Sequence, residues 1–387
     1  MKFTINRRLM YEAVKTVLKI IRKNKENPEI SGILIEADAD SGILTLTGTD
    51  IQTHIQRRLR EEHIEESGNM ILTPLLAEML RLLNGDNVTF QSDTRMVSLY
   101  SGAARYTIPF LEAKSFPKLR IPFPEDTIQI KGINPLIKRT VFATDGNITD
   151  YTKSSLSYVK LSFEGGITQA EATNGSCIAI ATSPHCADGK LEMILHEKAL
   201  RILSDIIKPN EELYIGIVGK YAIFLKEDMI FSTMTFTGRY LEASKLLENF
   251  IPKYSATVDA RKLLIHIDNV SSIFDTNDDK SIHFQIKTDK VFIQAKTATS
   301  SSSSDVNATE TTPTPTEGFY YHPSLFTECL QHMTGPIKVK IDQRGFAMME
   351  ARGCRYFICP RGPVHIREQK PEEKQKSKAK TTATKAA

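Results

Sequence analysis

A unit of one design occurs three times along the chain, and this repetition limits the possible folds more than any compositional statistic does. The middle copy, Ile194 to Met234, reads as a short strand, a helix of about three turns, a stop at Pro209-Asn210, and three strands joined by tight turns. The first copy runs from Ile71 to Pro109 and the last from Tyr320 to Pro360. With Leu72, Leu195 and Tyr321 taken as equivalent, successive copies are 123 and 126 residues apart. That period is domain-sized, well beyond the roughly 20–50 residues of a solenoid repeat.

Within the middle copy, Leu200, Leu203, Ile206 and Ile207 share one helical stripe, while Lys198, Arg201, Asp205 and Lys208 lie towards the other side. The runs Leu213 to Ile217 and Tyr221 to Leu225 are rich in strand formers and flank the turn Val218-Gly219-Lys220. A helix and a sheet that are each apolar on one side bury those sides against one another. The expected class is α+β: three similar domains, each with two helices packed on antiparallel sheets.

The expected domains are residues 1–121, 122–250 and 251–366, with Pro109, Pro117, Pro122 and Pro124 marking the first linker. Within the third, residues 297–318 are low-complexity Ser, Thr and Pro and read as a disordered loop. Residues 367–387 read as a basic disordered tail. That tail holds seven Lys or Arg against three Glu, so it accounts for the whole net charge of +4 and leaves the rest of the chain neutral.

A neutral body can still attract nucleic acid if its cations are segregated onto one surface. The first helix, read as Tyr11 to Arg22, suggests this. Val14, Val17, Leu18 and Ile21 form its apolar stripe, and Lys15, Lys19 and Arg22 recur on another face, with Lys23 and Lys25 following. Lys138 and Arg139 in the second domain, and Arg261 and Lys262 in the third, stand in comparable places.

Catalytic signatures are missing from the sequence. It contains no GxxxxGK[ST], HExxH, GxSxG or GxGxxG, and its histidines have no ligand spacing. Cys177, Cys186, Cys329, Cys354 and Cys359 form no CxxC pair, which suits a reducing compartment. No run of about 18 apolar residues occurs, and no apolar stretch follows the N-terminal charges. The expectation is a cytoplasmic protein without catalytic residues, metal or cofactor.

Several short segments together resemble the bacterial DNA polymerase III beta subunit, the sliding clamp. Met1-Lys2-Phe3-Thr4 is similar to the family's start, and Leu44 to Asp50 to its LSLTGTD segment. Ala172 to Ala179 resembles ATDGHRLA, Thr237 to Tyr240 resembles the DGRFP turn, and Tyr356 to Pro360 resembles YxxMP. The resemblance spans roughly residues 1 to 366 and implies a head-to-tail homodimer closed into a ring around double-stranded DNA, bound without regard to base sequence. It further implies short linear motifs through which the polymerase III alpha subunit, the clamp loader and other clamp-binding proteins dock.

Carried over position by position, the resemblance implies a partner-peptide pocket of Leu156, Thr173, Gly175, Ile178, Leu241, Lys245, Leu246, Phe357, Cys359 and Pro360. It implies a dimer interface of Arg105, Tyr106 and Ile108 facing Ile273 and Phe274. Lys15, Lys19, Arg22, Lys25, Lys138, Lys198 and Arg201 become the DNA-facing set. The chain departs from the family pattern at Ser176-Cys177, at Leu241, in the Ser/Thr segment and in the residues after Pro360. Alternatives from other classes are a clamp-like paralogue, a monomeric DNA-binding scaffold and a nucleic-acid-processing enzyme.

Overall fold

Asn6 decides where the first helix begins. Its side-chain oxygen accepts the backbone N–H groups of Arg8 and Leu9 at 3.0 and 3.2 Å, so α1 spans Arg7–Val17 and starts four residues before the hydrophobic pattern places it. Met10, Ala13, Val14 and Val17 form its buried face. Beyond Val17 the chain turns, which lets the adjacent Ile20 and Ile21 both reach the core. Lys19 and Arg22 therefore project from this turn rather than from the helix, a correction to the single charged helical face expected through Arg22.

The computed structural model describes every residue except 61–62, 118–122, 147–154, 185–188, 277 and 363–387. The basic tail and Cys186 thus lie outside the described residues. The chain forms two compact units, Met1–Ile251 with Met348–Ile358, and Pro252–Ala347 with the residues from Cys359 onward.

The first unit holds two of the three repeats. One antiparallel sheet has the order Ile64–Glu66, Lys2–Asn6, Asn87–Ser92, Met96–Ser101, Ala104–Pro109, the last being an open edge. An eight-stranded sheet runs Ile128–Lys131, Glu212–Val218, Tyr221–Lys226, Met229–Met234, Thr53–Arg60, Ile43–Thr49, Ile33–Asp38, Gly68–Leu72. The first two repeats therefore share one continuous sheet, joined where Thr53 lies opposite Thr233 and Ile55 opposite Phe231. A further run comprises Leu191–His196, Tyr158–Glu164, Ile167–Thr173, Cys177–Ser183 and Cys354–Ile358.

Two helix pairs cover these sheets: α1 with α2 (Leu76–Leu82), and α3 (Ile133–Lys138) with α4 (Glu197–Ile206). Asn134 of α3 donates to the Ser204 and Ile207 carbonyls at 2.5 and 2.7 Å, satisfying acceptors that the end of α4 leaves free. A single further turn, α5 (Ala243–Leu246), lies against the outer surface of the strands Ile167–Thr173 and Cys177–Ser183.

The second unit repeats the plan. α6 (Ala260–Ser271) is capped by Asp259, whose carboxylate accepts the Lys262 N–H at 3.0 Å, and packs with α7 (Pro323–Leu330). Phe284 stacks on Phe326 with ring centres 5.1 Å apart, and buried Tyr321 donates its hydroxyl to the Gly345 carbonyl at 2.6 Å. One sheet has the order Ser301–Asn307, Lys290–Lys296, Ile282–Ile286, Phe319–Tyr321. Pro252–Asp259 pairs with Pro336–Asp342 on one side and Thr309–Thr312 on the other.

The disordered loop expected at 297–318 is corrected by these strands. Ser301–Asn307 pairs along its length with Lys290–Lys296, and only Val306 and Ala308 need a core, which both find. A polar segment can form an edge strand because the ladder satisfies its backbone while every second side chain stays in water.

Local contacts set the repeat register. Isolated bridges join Ile71 to Leu111, Leu195 to Thr235 and Tyr320 to Arg361, so Ile71 and Tyr320, each one residue before the positions chosen from sequence, are the counterparts of Leu195. Thr49, Thr173 and Thr297 occupy matching turns. The Thr49 and Thr173 hydroxyls donate to the carbonyls of Thr53 and Cys177 at 3.0 and 2.8 Å, and the Thr297 hydroxyl accepts the Ser300 N–H at 3.0 Å. The expected two helices per repeat appear as α1/α2, α3/α4 and α6/α7, with α5 in addition.

Candidate nucleic-acid face and partner groove

Lys15, Lys19 and Arg22 from the first repeat and Lys198 and Arg201 from the second line one open cleft of about 810 Å³ in the first unit. Two of these cations are partly neutralised at the surface. Lys19 Nζ lies 3.4 Å from Asp205, and Arg201 pairs with Glu197 while donating to the Val141 carbonyl at 2.9 Å. Arg22 is held by the Lys19 and Ile21 carbonyls at 3.1 and 2.9 Å. Lys15 and Lys198 are exposed. Lys25 and Lys138 are exposed too but do not line this cleft. A shallow lining of this kind attracts phosphates without presenting a rigid set of donors to base edges.

The seam between the first two repeats buries His54, whose Nε2–H donates to the Ile51 carbonyl at 3.1 Å. Burial pushes its pKa down to about 4, against a smaller opposing pull from that hydrogen bond. The folded seam therefore binds fewer protons than the unfolded chain between pH 6.5 and about 4. Stability is greatest above this window and falls as pH drops through it, by on the order of 3 kcal/mol from this group. Denaturant titrations at pH 7 and pH 5 should show the loss, and it should shrink in His54→Gln.

The partner residues implied by the resemblance separate into groups. Leu156, Leu241, Lys245 and Leu246 line a second cavity of about 630 Å³, together with Ser155, Arg239, Tyr240 and Glu242. Leu241 and Leu246 are 41 % and 48 % exposed and sit together on this cavity, an apolar pair open to a partner. Lys245 pairs with Glu242 at 2.8 Å on the rim. Thr173 and Gly175 belong to the turn before Cys177–Ser183, Gly175 taking φ +87°, where a side chain would be strained. Ile178 pairs across strands with Phe357, whose ring meets Phe250 edge-on at 5.4 Å. Cys359 and Pro360 belong to the second unit and are half-buried.

Arg239, Tyr240 and Glu242 were missed as groove residues, although the Thr237-Gly238-Arg239-Tyr240 turn was the signal that could have found them. At the candidate subunit edge, Arg105 and Tyr106 are carried by the open strand Ala104–Pro109, and the Arg105 guanidinium lies 5.0 Å from the centre of the Tyr100 ring. Ile108, only 9 % exposed, faces its own sheet's core. Ile273 and Phe274 are half-buried in the turn after α6.

Among the described residues, no group of His, Cys, Asp and Glu is placed to hold a metal ion, and no helix is long and apolar enough to cross a membrane.

This repeated helix-on-sheet design with a shared basic cleft defines a DNA-clamp-fold protein. Residues 1–120 match the sequence model of the DNA polymerase III beta subunit, N-terminal domain. The chain is similar to the beta sliding clamp of Bacillus subtilis, 27 % identical over 288 residues covering 70 % of this chain and 74 % of that one. It is likewise similar to that of Halalkalibacterium halodurans, 26 % identical over 273 residues covering 66 % and 70 %. The crystal structure of the Bacillus subtilis sliding clamp superposes with a TM-score of 0.84 at 22 % identity, over 94 % of this chain and all of that one. The Thermotoga maritima DNA polymerase III beta subunit does so with a TM-score of 0.84 at 15 % identity, again over 94 % of this chain. The chain is thus similar to bacterial DNA polymerase III beta subunits, in sequence over its first 120 residues and in fold over nearly its whole length.

Proposed function

We infer that the protein is a sliding clamp. Two copies close head to tail around duplex DNA in the cytoplasm and tether the replicative polymerase and other partners, raising their effective concentration at the template. It is a non-catalytic processivity subunit, and an ATP-driven loader places it on DNA.

The observation that carries this reading is a pairing rule. The fourth strand of the first repeat, Thr53–Arg60, pairs with the last strand of the second, Met229–Met234. The fourth strand of the second, Cys177–Ser183, pairs with the last strand of the third, Cys354–Ile358. Two strands of the series are left over, the last of the first repeat, Ala104–Pro109, and the fourth of the third, Ser301–Asn307, and both are sheet edges. A second copy of the chain satisfies both in the same antiparallel way. Carrying over the register of the two internal seams puts Arg105 opposite Ser304 or Asp305. The polar strand read from sequence as a disordered loop thus becomes the missing half of the interface, to which the resemblance adds Ile273 and Phe274.

Sedimentation equilibrium should give twice the chain mass, and a strictly monomeric protein would overturn the ring. Binding to linear duplex should be weak and independent of sequence, and should fall with salt at about −0.9 per phosphate neutralised. Lys15→Ala with Lys198→Ala should flatten that slope by about 2 per protomer, equally on unrelated duplexes. Strong discrimination between two duplexes at equal salt would contradict the clamp reading.

A further inference from the structure

The strand Ile167–Thr173 carries an acid where an apolar residue would be expected. Glu171 is 1 % exposed, and its buried carboxylate oxygens meet no well-aligned donor, Ser244 of the covering segment approaching them only loosely. Its neighbours Ala170 and Ala172 are buried on one side of the sheet, so strand alternation turns Glu171 to the other side. What covers that side is the segment 240–246, which includes α5 and carries Leu241, Lys245 and Leu246 of the groove. Tyr240 anchors the segment by donating its hydroxyl to the Glu171 carbonyl at 3.0 Å.

The groups facing the carboxyl do not neutralise it. Lys160, directly across on the strand Tyr158–Glu164, is held by Glu192 at 3.0 Å. Ile180, opposite on the other side, is apolar. The covering segment offers Tyr240, Ser244, Glu242 and Lys245, the last within electrostatic reach of Glu171 but paired with Glu242 at 2.8 Å. Burial raises the pKa of Glu171 and the Glu242 charge adds to the rise, while Ser244 and Lys160 pull more weakly the other way.

We propose that Glu171 is a positioning residue of the partner groove, its carboxyl group fixing the covering segment against the sheet when protonated and releasing it when ionised. This rests on the groove reading given above. A buried carboxylate without a counter-charge in contact costs several kcal/mol. The ionised form gains water only if the segment shifts, and Leu241, Lys245 and Leu246 shift with it. An acid whose pKa is raised under the closed segment holds its proton more tightly closed than open. The closed wall is therefore favoured at low pH and lost as pH rises through the raised pKa.

The chain contains no tryptophan, so Leu246→Trp places a sole indole on the moving wall. Its emission and acrylamide quenching should report a sheltered ring at low pH and a more exposed one at high pH. The transition should lie above the pH at which a free Glu titrates, about 4.3. Glu171→Gln should flatten the profile, Glu171→Leu should flatten it by a different chemistry, and Glu171→Asp, which keeps a carboxyl, should retain a transition. In the chain without the reporter, the Kd of a labelled polymerase-derived peptide should rise about tenfold over the same range, and not in Glu171→Gln. An indole profile absent in the parent, or unchanged in both Glu171→Gln and Glu171→Leu, overturns the proposal. An indole that titrates through Glu171 while peptide binding ignores pH upholds the moving segment and overturns the groove reading instead.

Discussion

Arg105→Glu should be monomeric at concentrations where the parent chain is a dimer, and adding Asp305→Arg should restore the dimer. Arg105 is exposed on the open edge Ala104–Pro109, tied only to Ser98 Oγ at 3.3 Å and to the face of Tyr100. In the inferred register it meets Ser304 or Asp305 of the second copy. Asp305 is paired with Lys290 at 2.7 Å in a half-exposed bridge, which contributes little and is easily shared. Reversing Arg105 sets like charges face to face along a seam with few apolar contacts. A cost of about 2 kcal/mol per interface weakens it roughly 30-fold. Sedimentation equilibrium of parent, single and double variants decides the matter, because a charge swap rescues only if the two side chains meet. A fully dimeric Arg105→Glu would remove this strand from the interface.

The second large effect is expected at Leu246. Half of its surface is exposed in the free chain, so Leu246→Asp costs the fold little and should leave the sedimentation mass unchanged. A partner's apolar anchor seated over this position would instead bury a carboxylate without a counter-charge, since Lys245 is already paired with Glu242. Calorimetric titration with a polymerase-derived peptide should show binding weakened at least about a hundredfold, as for a central anchor contact. Deleting Glu368 to Ala387 should leave the affinity unchanged. If Leu246→Asp binds the peptide like the parent, the docking groove lies elsewhere.

The pattern of apolar residues was enough to show three copies of one helix-and-strand unit, because burial against a sheet leaves a stripe such as Leu200, Leu203 and Ile207 in any sequence. Basic residues from two copies could likewise be named before their convergence was known. Features set by distant partners were hidden. Ser301–Asn307 looks structureless because an edge strand needs a core only at every second position, and here Val306 alone shows it. Thr297, matching Thr49 and Thr173 in its turn, was the available signal. The start of α1 depends on one Asn side chain. Glu171 in a strand reads as a solvent-facing residue, and its burial depends on Tyr240, 69 residues away.

The two open edges have a further consequence. A building block with one donor edge and one different acceptor edge joins copies in a directional series, and the series ends only if the rotation per step brings the last edge back to the first; otherwise it grows as a fibre. The internal seams are lined by Ile55, Phe231, Ala179 and Ile358, all buried, whereas the free edges show Arg105, Thr107 and a run of serines to water. Such edges are poor templates for stray strands, and Pro109 at the end of one interrupts the ladder further. In the closed assembly inferred above, the same polarity would let an opened copy remain in solution, without recruiting unrelated chains, until the matching edge returns.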